Sequence, residues 1–203
     1  MSLLQGTVSL KRYLALGPVP EPEDLLDGLA AAAFRPFLDG TEEVRTGWVD
    51  WRNPLIVPCE REWVMQDRYA LFALRMDTRK VPAVLLKAHL DLRLRALQHE
   101  KDLAFVGREA RAALQDEVRE ELLKQVLPVP KVMEVAWDLK GGLVWTTTTS
   151  SAAQSALMEL FHTSFGIELQ PLAPLLLAGR VAPEIPSDVL AALAPAELSL
   201  EGA

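Results

Sequence analysis

The chain has 203 residues, 21 Lys and Arg against 28 Asp and Glu, and a net charge of −7. Half the residues are apolar and 24% are charged, which excludes a disordered chain and predicts a core that needs no covalent staples. A single cysteine, Cys59, excludes an internal disulfide and predicts a reducing compartment, the cytoplasm.

In chain order, "GTVSLKRYLAL" alternates apolar and polar residues and predicts a strand. "PEDLLDGLAAAAF" predicts a helix, with Pro22 in its first turn and acids at its start. "RPFLDGTEEVRT" reads as a loop. "RTGWVDWRNPL" opens a β-rich stretch, in which Trp48 and Trp51 would point to opposite faces of a strand. "REWVMQ" and "RYALFALRMDTR" read as two further strands in a hairpin turning near Asp67. Trp63, Trp137 and Trp145 on strands are expected in the core.

The period changes at Pro82. Leu86, Leu90, Leu94 and Leu97 form one helical stripe, and Ala110, Leu114, Val118, Leu122 and Val126 form a second. Two consecutive long helices are expected, broken near Gly107 and ended by "LPVP". "KVMEVAWDL" and "GLVWTTTT" form a hairpin about Lys140-Gly141-Gly142. "SSAAQSALMELFHTSF" is a helix capped by Ser150 or Ser151 and stopped at Gly166. "IELQPL" is a last short strand, and the tail offers one short helix, "SDVLAAL". The expected fold class is α+β, largely antiparallel sheets with two long helices in the middle and a β-β-α-β unit near the C-terminus. The expected segments are 1–81, 82–131, 132–172 and a tail, 173–203. No stretch has the length and apolarity of a membrane span, and no signal peptide is read at the start.

Catalytic signals are few. His89 and His99 lie ten residues apart on one helix, off metal-ligand spacing, and neither a zinc-protease, a phosphate-loop nor a hydrolase motif occurs. Asp116, Glu117, Glu120 and Glu121 interleave with Arg119 and Lys124, with Glu120 and Lys124 spaced to pair, and read as a solvated helix face. Cys59 reads as a buried or indifferent thiol rather than a nucleophile. "WTTTTSS" reads as a strand entering a helix cap rather than a phosphate site. No cofactor or metal is expected.

Basic residues give the one binding hint. Residues 1–131 are near charge balance, while residues 132–203 carry 2 basic and 8 acidic groups. Arg108, Arg111, Gln115 and Arg119 fall on one helical stripe, and Lys87, Asp91 and Arg95 share a face of the preceding helix.

The order of motifs carries the reading further. Gly47-Trp48-Val49 follows a strand and an acid-rich helix. Lys80-Val81-Pro82 closes the strands, "LQDEVREELLKQVLP" ends the second long helix with Pro128, and Trp137-Asp138 opens the later hairpin. From about Val8 to Leu172 this succession resembles the bacterial recombination-associated RdgC family. Gly47, Trp48, Pro82, Pro128 and Trp137 carry the signature, with Trp48 as a packing anchor at the start of a strand; Trp51 is left open. The resemblance implies a shortened member, without the usual C-terminal region and with Val129, Pro130 and Lys131 where the family tends to have arginine and phenylalanine. It implies sequence-independent binding of double-stranded DNA by a homodimer, forming a ring in the family. It also implies a link to a RecA-type recombinase and a nucleoid location; no carboxylate constellation in the sequence supports cleavage, so no catalysis is expected. Lys87, Arg108, Arg111, Arg119 and Lys131 are the phosphate contacts expected on this reading. The rival readings are an interaction paralogue that keeps the fold and dimer contact without DNA binding, and a metal-dependent nuclease.

Overall fold

The computed structural model describes residues 8–37, 41–57, 59–102, 104–147 and 150–192. Its frame is one antiparallel sheet. The strands are β1 (Lys11–Leu16), β2 (Val44–Val49), β3 (Met65–Gln66), β4 (Tyr69–Thr78), β5 (Val129–Asp138), β6 (Leu143–Thr146) and β7 (Glu168–Pro171). They lie in the order β2-β4-β5-β6-β1-β7, with β3 hairpinned onto β4. The α+β class holds, but the described strands form a single sheet rather than several. That sheet joins strands before and after the long helices, through the ten-residue ladder from Tyr69↔Asp138 to Thr78↔Val129.

Helices α1 (Pro22–Ala31) and α5 (Ser151–Phe165) cover one face of this sheet. Alternation along the strands sends Tyr13, Trp48, Phe72, Leu74, Met133, Val135, Trp137 and Val144 toward them. Trp48 and Trp137 are fully buried, and a ring cluster with Phe72, Phe161 and Phe165 fills the space, its contacts running from 4.8 to 6.2 Å. Edge-to-face pairs within it add to area burial. Trp48 is the expected packing anchor, but it sits one residue from the end of β2, not at its start. The β5–β6 turn is set by Gly142 at φ 65, a conformation glycine adopts without cost.

Helices α3 (Ala83–Lys101) and α4 (Arg108–Gln125) pack on each other as an arm inserted between β4 and β5. At 1.5 Å per residue the arm is about 28 Å long. The two predicted stripes meet along its seam, where Leu90, Val118, Leu122 and Leu123 are buried. Ala110, placed in the stripe by its period, is exposed near the far end.

Several local expectations are corrected. "REWVMQ" is a single helical turn, α2 (Arg61–Val64), running into the two-residue β3. A four-residue helix shows no period, so its apolar pair reads as strand. Trp63 on this turn is 39% exposed rather than core. Trp145 points away from the main core, because its neighbours Val144 and Thr146 point in. Trp51 lies in a bend after β2, so the two-faces argument does not apply to it. Lys131 belongs to β5, not to the two-helix segment. Among the described residues the tail holds two helices, α6 (Pro174–Val181) and α7 (Ser187–Ala192). Thr148 and Thr149 of the hydroxyl run, and the tail from Leu193, lie outside the described residues.

Candidate nucleic-acid interface

The five expected contact residues are all exposed, but they do not form one cluster. Arg108 and Arg111 open α4 at the far end of the arm. Arg111 lines a cleft of about 410 Å³ between the helices, with Asp91, Arg95, Gln98 and Phe105. Lys87 lies in the second turn of α3, near the sheet, and Lys131 near the start of β5. Arg119 is three helical turns from Arg108, about 16 Å along the axis at 1.5 Å per residue.

Ion pairs decide which of these charges are available. Arg119 is held by Glu43, which precedes β2 and reaches across to α4. Arg93 of α3 pairs with Glu121 of α4 at 2.8 Å, pinning the two helices together. The expected Glu120–Lys124 pair does not form among the described residues. Lys87, Arg108, Arg111 and Lys131 engage in no ion pair among them, so their charges face solvent. Arg108 at the N-terminus of α4 meets the positive end of the helix dipole, and an anion placed there would relieve that repulsion.

A second basic group escaped sequence reading. Where the arm leaves the sheet, Arg79, Lys80 and Arg119 share a cleft of about 230 Å³ with Glu43. The guanidinium of Arg79 stacks over Phe37 at 4.0 Å from the ring centre. Lys80 was visible only as part of the Lys80-Val81-Pro82 motif, because Glu43 and Arg119, which complete the cleft, are distant in sequence.

The acids do not converge. Glu121 is taken by Arg93, and Asp116 and Glu120 lie with Arg119 and Glu43 in a shallow cleft. Among the described residues no three His, Cys, Asp or Glu side chains are placed to hold a metal ion. No described helix is long and apolar enough to cross a membrane.

Two further carboxylates are structural. Asp138 is buried at the β5–β6 turn, where it accepts from the backbone N–H groups of Lys140 and Gly141 at 3.1 and 3.0 Å and from Arg68 at 2.6 Å. Burial raises its pKa, but these donors outweigh burial and hold it below the ordinary range. Asp50 behaves alike: burial is opposed and overcome by the guanidinium and backbone N–H of Arg52. Cys59 is pushed up to about 12, by burial first and then by the charge of Asp50.

One continuous antiparallel sheet, helices on one face and a two-helix arm carrying exposed cations define a mixed α+β protein. A family model described as "Putative exonuclease, RdgC" matches residues 10–201. The chain therefore belongs to the RdgC family, and this membership fits a recombination-related, DNA-binding role. No curated protein matches the chain.

Proposed function

We propose that this chain is a sequence-independent duplex-DNA-binding protein of the RdgC type. It acts as a homodimer, in a ring or an open clamp. It modulates homologous recombination by occupying DNA that a RecA-type recombinase would otherwise coat, at the nucleoid and without catalysis. The observation that carries this reading is the family match across nearly the whole chain. The arm supports it physically. It projects from the sheet, keeps Lys87, Arg108 and Arg111 unpaired and exposed, and has the reach to follow a duplex. Net charge of −7 is no obstacle, since only the surface that meets phosphate needs to be basic. A closed dimer also slows release by topology.

The test is fluorescence anisotropy of a labelled duplex of about thirty base pairs across a salt series. Binding that is equal for unrelated sequences and falls steeply with salt is expected. No binding at low salt would overturn the reading. It would favour the interaction paralogue, for which Val84, Leu92 and Phe105 on the arm supply exposed apolar surface.

A further inference from the structure

Four aromatic side chains from four separate elements line one groove of about 660 Å³ on the sheet face turned away from α1 and α5. They are Trp51 after β2, Trp63 on α2, Tyr69 on β4 and Trp145 on β6. Leu71 and Ala136, partners in the β4–β5 ladder, form the floor. One wall is built by a hydrogen bond, in which the indole N–H of Trp51 donates to the carbonyl of Trp63 at 3.0 Å. Tyr69 and Trp145 make the other, with ring centres 6.1 Å apart. Gln66 is the polar member of the lining. Its amide nitrogen donates to the Glu62 carbonyl at 2.7 Å, which leaves its carboxamide oxygen to accept. A wide apolar opening walled by tryptophan marks a binding surface, because such area is costly to leave in water.

We propose that this groove receives an unpaired base of single-stranded DNA, stacked on the tryptophans, with the strand's phosphate on Arg12. The inference rests on the DNA-binding reading above and adds a site distinct from the arm. The occupant follows from the charges at the rim. The guanidinium of Arg52 lies over the Trp63 ring at 3.6 Å and so already takes the place on that ring that a cationic ligand would need. Arg68 sits likewise over Tyr69 at 5.0 Å. A neutral planar ring meets no such penalty, and guanidinium planes extend the stacking surface. The charges of Arg52 and Arg68 are already met by Asp50 and Asp138, and Glu60 and Glu62 lie near Arg52. Arg12 is different. It faces Trp145 directly across the β1–β6 ladder, is exposed, and engages in no ion pair among the described residues. The phosphate therefore runs on the β1 side, and the Gln66 oxygen is the acceptor offered to an N–H on the base edge.

The experiment uses the full chain with an oligothymidine strand, an abasic strand of equal length and a duplex. Expected results are quenching of tryptophan fluorescence by oligothymidine and much weaker binding of the abasic strand. Trp63→Ala and Arg12→Ala should each lower oligothymidine affinity about tenfold while duplex affinity holds. Trp63 is partly exposed and keeps its carbonyl in the alanine variant, and circular dichroism checks the fold of both variants. Equal binding of abasic and thymidine strands, or oligothymidine affinity unchanged in both variants, overturns the groove assignment while duplex binding stands. Loss of duplex binding by the parent protein overturns the DNA reading itself.

Discussion

Gly47 and Phe34 lie backbone against backbone: a Cβ on Gly47 would stand 2.5 Å from the Phe34 nitrogen and closer still to its Cα. The contact is fixed by two hydrogen bonds. Phe34 N–H donates to the Trp48 carbonyl, and Trp48 N–H to the Ala32 carbonyl, both at 2.9 Å. The glycine of the Gly47-Trp48-Val49 signature is thus demanded by close approach, not by an unusual φ. Gly47→Ala should cost at least about 2 kcal/mol, the upper half of what overpacking usually costs, because the obstacle is backbone and cannot rotate away. Urea denaturation measures this, and a stability within error of the parent would refute it.

Ser164 holds the other end of the same signature. The Trp48 indole N–H donates to its Oγ at 2.7 Å, inside the core. Ser164→Ala leaves that donor buried without a partner and should cost ~1–3 kcal/mol in urea denaturation.

Acid stability depends on the two buried carboxylates. Asp50 and Asp138 have lowered folded-state pKa values, so the unfolded chain takes up protons first as pH falls. Their contribution is complete above the unfolded aspartate value of about 3.9 and is lost as pH drops through the folded values. The melting temperature should therefore decline below about pH 4, and Asp138→Asn should show a lower melting temperature at neutral pH with a shallower acid decline.

Duplex binding should separate the arm's cations by their partners. Arg108→Ala with Arg111→Ala should weaken binding equally for all sequences and reduce the salt slope by about two, one unit per lost phosphate contact. Arg119→Ala should do less, since Glu43 already holds that guanidinium. Glu43→Gln should tighten binding by releasing it. Anisotropy across a salt series reads all three, and a Glu43→Gln variant that binds more weakly would remove Arg119 from the interface.

Cys59 should be slow to modify. With its pKa pushed up to about 12 and its side chain half-buried, little thiolate exists near neutrality. Reaction with an aromatic disulfide at about pH 8 should be at least about a hundredfold slower than in urea.

The long helices and the Lys140–Gly142 hairpin were legible because each is local: a stripe at helical period, or a turn sequence between two apolar runs. The stripe Leu86, Leu90, Leu94 and Leu97 does not say what it meets, however. A helix packed on a sheet and one packed on a second helix show the same pattern, so the projecting arm could not be read. Trp63 was misplaced for a related reason, since its one-turn helix is shorter than the period that would reveal it. The site suffered most. Arg108 and Arg111 are neighbours in sequence and could be grouped by eye. The Arg119–Glu43 pair joins residues far apart in the chain, and the aromatic groove draws on four elements, which no window along the sequence contains.

Thr78 and Val129 face each other as the last rung of the β4–β5 ladder, yet residues 79–128 lie between them. The arm is therefore an enlarged hairpin loop, closed at its base by strands already paired. Because loop-closure entropy grows only with the logarithm of length, lengthening or shortening both helices in step changes the stability of the sheet by about 1 kcal/mol or less. Register in the ladder, and with it the placement of Trp48, Phe72 and Trp137, stays untouched. Reach is thus a property this protein can vary almost independently of its fold, and the span of whatever it grips can be tuned without rebuilding the sheet.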